Sequence, residues 1–159
     1  MKRTIDDLRN VWLQAGYTLA PYSKEDIQKA VDKFGRLPEV LIEYYEKIGE
    51  IEDEEDHSLQ IFAPEYLSVR TPGFLDFSRE IADMAALAIS LNDLEQNNPV
   101  VYCCGENVQA NDLEGYIPGT HPKMLDDGFD FRTLMNYLWQ IAYYEIEPES
   151  RWEFEDDDN

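Results

Sequence analysis

Three helix-sized segments, each with its own start and stop signal, occupy the first 49 residues, and no such run recurs until near the C-terminus. Thr4-Ile5-Asp6-Asp7 has a capping-box pattern; Ile5, Leu8, Trp12 and Ala15 then recur at helical spacing before Gly16. Ser23-Lys24-Glu25-Asp26 opens a second helix with Ile27, Ala30, Val31 and Phe34 on one face, closed by Gly35. Pro38 suits the first turn of a third, whose stripe is Leu41, Tyr44, Tyr45 and Ile48, ending at Gly49. A fourth begins near Asp130 and buries Leu134, Leu138, Trp139 and Ile141. Helices gathered at the two ends, with turn-punctuated segments between them, predict an α+β fold.

The middle of the chain is more ambiguous. Leu67-Ser68-Val69-Arg70 and Phe74-Leu75-Asp76-Phe77 read as short strands separated by the turn signal Pro72-Gly73. Val100-Val101-Tyr102-Cys103 reads as another strand after Pro99, and Gly115-Tyr116-Ile117 as a last one. Between Ile81 and Leu91 two signals conflict. Ala82, Ala85, Ala86 and Ala88 favour helix by propensity, whereas a strand there would be apolar on both faces, as a central strand is.

The apolar content, 43 % with 13 % aromatic, is enough for a packed core in 159 residues. The longest uncharged stretch, Met84 to Asn92, falls far short of the roughly 20 apolar residues of a membrane span. The N-terminus turns acidic at Asp6-Asp7, where a signal peptide needs an apolar run, so a soluble, cytoplasmic protein is expected. Thirteen basic residues against 34 acids give a net charge of −21. Two segments, Glu50 to Asp56 and Glu145 to Asp158, carry −13 of it. A field of this sign repels phosphate backbones and anionic lipid, which excludes nucleic acid and membrane as expected partners and favours a basic protein. The adjacent Cys103 and Cys104 form no disulfide framework and no zinc spacing; they are expected to be reduced, on opposite faces of a strand, with one of them buried.

Several features taken together resemble the SUKH superfamily, which includes bacterial immunity proteins and fungal cell-wall-synthesis regulators. They are the Ser-capped helix, Phe34-Gly35-Arg36-Leu37-Pro38, a Tyr-bearing helix closed by Gly, an acidic loop, a strand with Glu80, a strand ending near Ile89-Ser90-Leu91, Asn97-Asn98-Pro99-Val100-Val101-Tyr102, and a terminal amphipathic helix. The similarity spans roughly Ser23 to Tyr144. It implies that the region from Phe74 to Leu91 is a hairpin rather than a helix. It also implies a single SUKH-like domain over 1–150, with N-terminal helices and a C-terminal helix packed on a mixed, mainly antiparallel sheet. Residues 1–22 would supply an N-terminal helix and linker, and 151–159 an acidic tail. Many members carry Glu-Asn-Gln in the first hairpin strand and Trp-Gly in the second; here Glu80 is followed by Ile81-Ala82, and Ala88 stands near the place of the Trp-Gly. The chain thus resembles a divergent member.

No catalytic constellation is legible, and no enzyme is expected. His57 and His121 stand in no metal-ligand spacing, and no GxSxG, GxxxxGK[ST] or GxGxxG occurs. Asp126-Asp127-Gly128-Phe129-Asp130 lacks the alternating acids of a calcium loop and reads as a turn with Asp130 as helix N-cap. With 34 acids, paired carboxylates arise by chance. No cofactor and no metal are implied.

Binding features remain. The run containing Glu52, Asp53, Glu54, Glu55 and Asp56 reads either as a solvated loop or as a surface accepting Lys and Arg from a partner. Trp152 and Phe154 in the tail would share a face if extended, and would either dock on the domain or anchor a partner. Glu80 is the family residue that survives. Tyr44-Tyr45 and Tyr143-Tyr144 each predict one core ring and one boundary ring. The resemblance implies an immunity protein that neutralises a toxin domain, such as a basic nuclease, by occlusion and acidic-surface complementarity. The alternative it implies is an intracellular scaffold or regulatory module of the cell-wall regulator type.

Overall fold

The computed structural model describes residues 3–52, 59–80, 85–105, 108–112 and 132–146. The first helix, α1 (Ile5–Gln14), starts where Thr4 Oγ1 accepts from the Asp7 amide at 3.1 Å, and it buries Ile5, Leu8 and Trp12. In α2 (Lys24–Phe34), Ser23 Oγ accepts from Asp26 in the same way, and Ile27 and Ala30 face inward. Pro38 stands at the N-cap of α3 (Glu39–Lys47), whose buried positions are Val40, Leu41, Tyr44 and Tyr45. All three boundaries follow the cap and stop residues of the sequence.

Two strands that the sequence does not announce flank this helical layer. β1 (Thr18–Ala20) pairs antiparallel with β2 (Glu50–Glu52), in the register Thr18↔Glu52 and Ala20↔Glu50. The first three residues of the acidic run are therefore strand rather than loop, held by ladder bonds and a half-buried Ile51. Gly49 makes the approach possible. Its φ is +70°, and a Cβ there would lie 2.2 Å from the Ala20 carbonyl oxygen.

A second sheet has five strands in sequence order: β3 (Leu59–Ile61), β4 (Phe74–Glu80), β5 (Ala85–Ser90), β6 (Tyr102–Gly105) and β7 (Val108–Asp112). Every pairing among the described strands is antiparallel, so the parallel component expected of a mixed sheet is not found among them. Leu67–Arg70 is not a strand; it follows a 3-10 turn at Pro64–Tyr66 and contributes one bridge, Ser68↔Asp76. The conflict over Ile81 to Leu91 resolves as strand for Ala85–Ser90. Leu87, Ala88 and Ile89 are each fully buried, so contacts on both faces outweigh alanine's helix propensity.

The core lies between the sheet and the helices. Leu75 pairs with Ile89 and Leu87 with Cys103, placing these side chains on one face of the sheet. A bulge between Asp76 and Ser78 brings Phe77 and Ser78 to the last helix, α4 (Leu134–Ile146). The Phe77 ring meets Tyr137 edge-on at 5.7 Å, and Ser78 Oγ bonds Tyr137 Oη at 2.9 Å. Complete burial of each such ring contributes roughly 1.5–3 kcal/mol. α4 also touches α1 and α3, and it is buried from Asn136 to Tyr144 without a solvated stripe. It is a central helix, not the amphipathic one expected. For the same reason Tyr44 and Tyr45 are both buried, and so are Tyr143 and Tyr144. Cys103 and Cys104 do alternate across β6, but both are buried, and neither is in a disulfide. The opposite face of the sheet is closed around Asp76, Ala88 and Cys104. No described helix is long and apolar enough to cross a membrane. The architecture is α+β, as expected. The expected features at Gly115–Ile117, His121, Asp126–Asp130, His57 and the tail lie outside the described residues.

Candidate functional site

Fully buried Tyr45 fixes three chain segments at one point. Its hydroxyl donates to the Phe62 carbonyl at 2.7 Å, its own carbonyl accepts from the Tyr22 amide at 2.9 Å, and its ring meets Tyr22 edge-on at 5.5 Å. The entry to α2, the helix α3 and the segment leaving β3 are thus held together. Phe62 in turn donates its amide to the Phe77 carbonyl at 2.8 Å, which anchors that segment to the sheet.

Around this junction lies a cleft of about 430 Å³. Its aromatic lining comes from Trp12, Tyr22, Tyr44, Phe62 and Tyr66, and its carboxylates are Glu50, Glu65 and Glu145. The volume is of ligand-pocket size. Among the described residues lining it, none is Lys, Arg or His. Tyr66, on the 3-10 turn, is 67 % exposed and is the most exposed large hydrophobic side chain among the described residues. The Tyr22 hydroxyl is pushed above its ordinary pKa of 10.0, first by burial and then by the negative charges of Glu50 and Glu65. That places both carboxylates within electrostatic reach of one phenol. Burial likewise pushes Tyr44 and Tyr45 up, so neither ionises near neutral pH.

The acids surround the cleft without converging. Among the described residues no group of three or more His, Cys, Asp or Glu side chains could hold a metal ion. What the arrangement can do is attract and enclose an organic cation against π-faces. A second hollow, about 280 Å³, lies at Gly35–Leu37 and Leu94–Asn97. There Arg36 Nη1 stands 3.7 Å from Glu95 Oε2, so that hollow already contains its own opposing charges.

Of the residues singled out from sequence, Glu52 ends β2, exposed, opposite Thr18. Glu80 ends β4, where its backbone pairs with Leu59 and Ala85. Asp53, Glu54, Glu55, Asp56, Trp152 and Phe154 lie outside the described residues. Sequence reasoning missed the cleft because its walls come from α1, the β1–α2 link, α3, β2, β3, the 3-10 turn and α4. One signal was present: Glu50 and Glu145, the first residues of the two acidic runs, both line it.

Comparison of the chain with family models, with curated proteins and with solved structures finds no match.

Proposed function

We propose that this chain is a non-catalytic protein-binding domain of the immunity type, which neutralises a basic toxin domain by covering its working face. One observation carries the reading. The two segments holding −13 of the net charge of −21 both begin at the same aromatic cleft, at Glu50 and at Glu145. Three carboxylates, Glu50, Glu65 and Glu145, thus line one concave aromatic surface, and no Lys, Arg or His is among its described lining residues. Such a surface steers a positively charged protein into contact and offers charge-assisted bonds where the rim is partly dry. The resemblance to the SUKH superfamily supplies the toxin as the class of basic partner.

The test begins with tagged full-length protein used as bait at low and high salt, followed by reconstitution of any retained toxin from purified components. Stoichiometric inhibition of a basic toxin, weakened by salt, is the expected result. Reversing Glu52, Asp53, Glu54 and Glu55 to Lys should slow association and flatten the salt dependence. Retention of cell-wall or regulatory proteins that are bound but not inhibited would replace this reading with the scaffold one. Unchanged binding by the reversed variant would remove the segment from the contact surface.

A further inference from the structure

We propose that the cleft between β2 and the Phe62–Tyr66 segment receives a single arginine side chain of the basic partner, stacked on its tyrosines and bonded by its carboxylates. This rests on the protein-binding reading above and adds which group of the partner is read.

Three observations lead to it. The cavity, about 430 Å³, exceeds what one side chain needs, and its only charged lining residues among those described are Glu50, Glu65 and Glu145. The carboxylates do not form a chelating group, which disfavours a small hard cation needing several oxygens at one point. A planar guanidinium has five donors pointing outward, so carboxylates spaced around it suit it better than they suit a point charge. Lastly, Tyr66 is left 67 % exposed at the 3-10 turn beside Glu65, an arrangement in which a flat cation covers the ring while meeting the acid. An arginine already sits over a ring among the described residues: the Arg3 guanidinium carbon lies 5.7 Å from the centre of the Trp139 ring.

Association with any cation is favoured by a net charge of −21, so the test must separate the cleft from the general field. The full chain, ¹⁵N-labelled, is titrated with acetyl-Gly-Arg-Gly-amide and with its citrulline and lysine counterparts, with chemical shifts as readout. Two double variants remove the same charge: Glu50→Gln with Glu65→Gln in the cleft, and Glu39→Gln with Glu95→Gln at the other hollow. The expected result is a set of shifts confined to Tyr22, Glu50, Ile51, Glu65 and Tyr66. The cleft variant should weaken arginine-peptide binding about tenfold and the other variant less than about twofold, with the citrulline peptide about tenfold weaker on the native chain. Equal weakening by both variants, shifts outside the cleft, no shifts at all, or citrulline or lysine peptides binding as tightly as arginine would each overturn the inference. The titration needs no toxin, so its failure leaves the protein-binding reading to the bait experiment. Failure of the bait experiment likewise leaves the titration result intact.

Discussion

Tyr45 and Tyr137 are fully buried, and each hydroxyl has a protein partner: the Phe62 carbonyl for one and Ser78 Oγ for the other. Tyr22 belongs to the first of these junctions and Tyr66 lines the same cleft, yet one is half-buried beside two carboxylates and the other is mostly exposed. The same residue type therefore does two jobs. Inside, the ring fills volume and the hydroxyl closes a bond. At the cleft, Tyr66 is left mostly exposed, and Glu50 and Glu65 act on the Tyr22 phenol. The difference separates what holds the fold from what is available to a partner, and it is open to experiment.

The strongest way to break the contrast is Tyr137→Ala. It empties a site between sheet and helix and strips Ser78 of a partner, and should cost about 3–5 kcal/mol in urea denaturation. Gly49→Ala should follow at about 1–3 kcal/mol, because a side chain there must adopt a left-handed φ and press on the Ala20 carbonyl. Its destabilisation should appear with altered amide shifts in β1 and β2, the walls nearest the clash.

A smaller, pH-dependent effect belongs to Asp76 on the closed back of the sheet. Burial holds its carboxyl above the ordinary 3.8, and the attraction of Arg70 only partly offsets this. Its Oδ1 has no hydrogen-bond partner among the described residues. The folded state binds this proton more tightly than the unfolded state does. The contribution is therefore complete below the unfolded pKa and is lost as pH rises through the raised folded value. The difference in urea midpoint between native chain and Asp76→Asn should accordingly shift toward the variant as pH is raised from 3.8 to neutrality. A pH-independent difference would mean that Asp76 titrates normally. Least disturbing is Tyr66→Ala, which should leave stability within about 0.5 kcal/mol while weakening capture of the basic partner. Loss of stability from this change would dissolve the distinction between the two sets of tyrosines.

How far these features could be read in advance depends on how local their causes are. α1, α2 and α3 were legible because Thr4, Ser23, Pro38 and the following glycines act within a few residues of themselves. β1 and β2 were not, since strands of three residues carry no measurable periodicity and exist through Gly49's close approach to Ala20. In β5 the alanines signal helix, and only neighbours on both faces make it a strand, which is tertiary information. The paired tyrosines of α3 and α4 misled in the same way: one boundary ring in each pair was a fair inference for a surface helix, but α4 is central. For the cleft, the acidic runs were conspicuous and their starting points were not, because nothing in Glu50 or Glu145 alone says that they line one hollow.

The two cysteines of the chain have a practical consequence at the bench. Cys103 and Cys104 are each about 2 % exposed, and burial raises the Cys104 thiol above its ordinary 9.0, so thiolate is scarce there at neutral pH. Side by side on β6 but turned to opposite faces, they are also poorly placed to bridge each other. Alkylating dyes should therefore leave the folded chain nearly unlabelled. A cysteine introduced at the exposed position of Tyr66 would then take a fluorophore selectively, marking the mouth of the cleft.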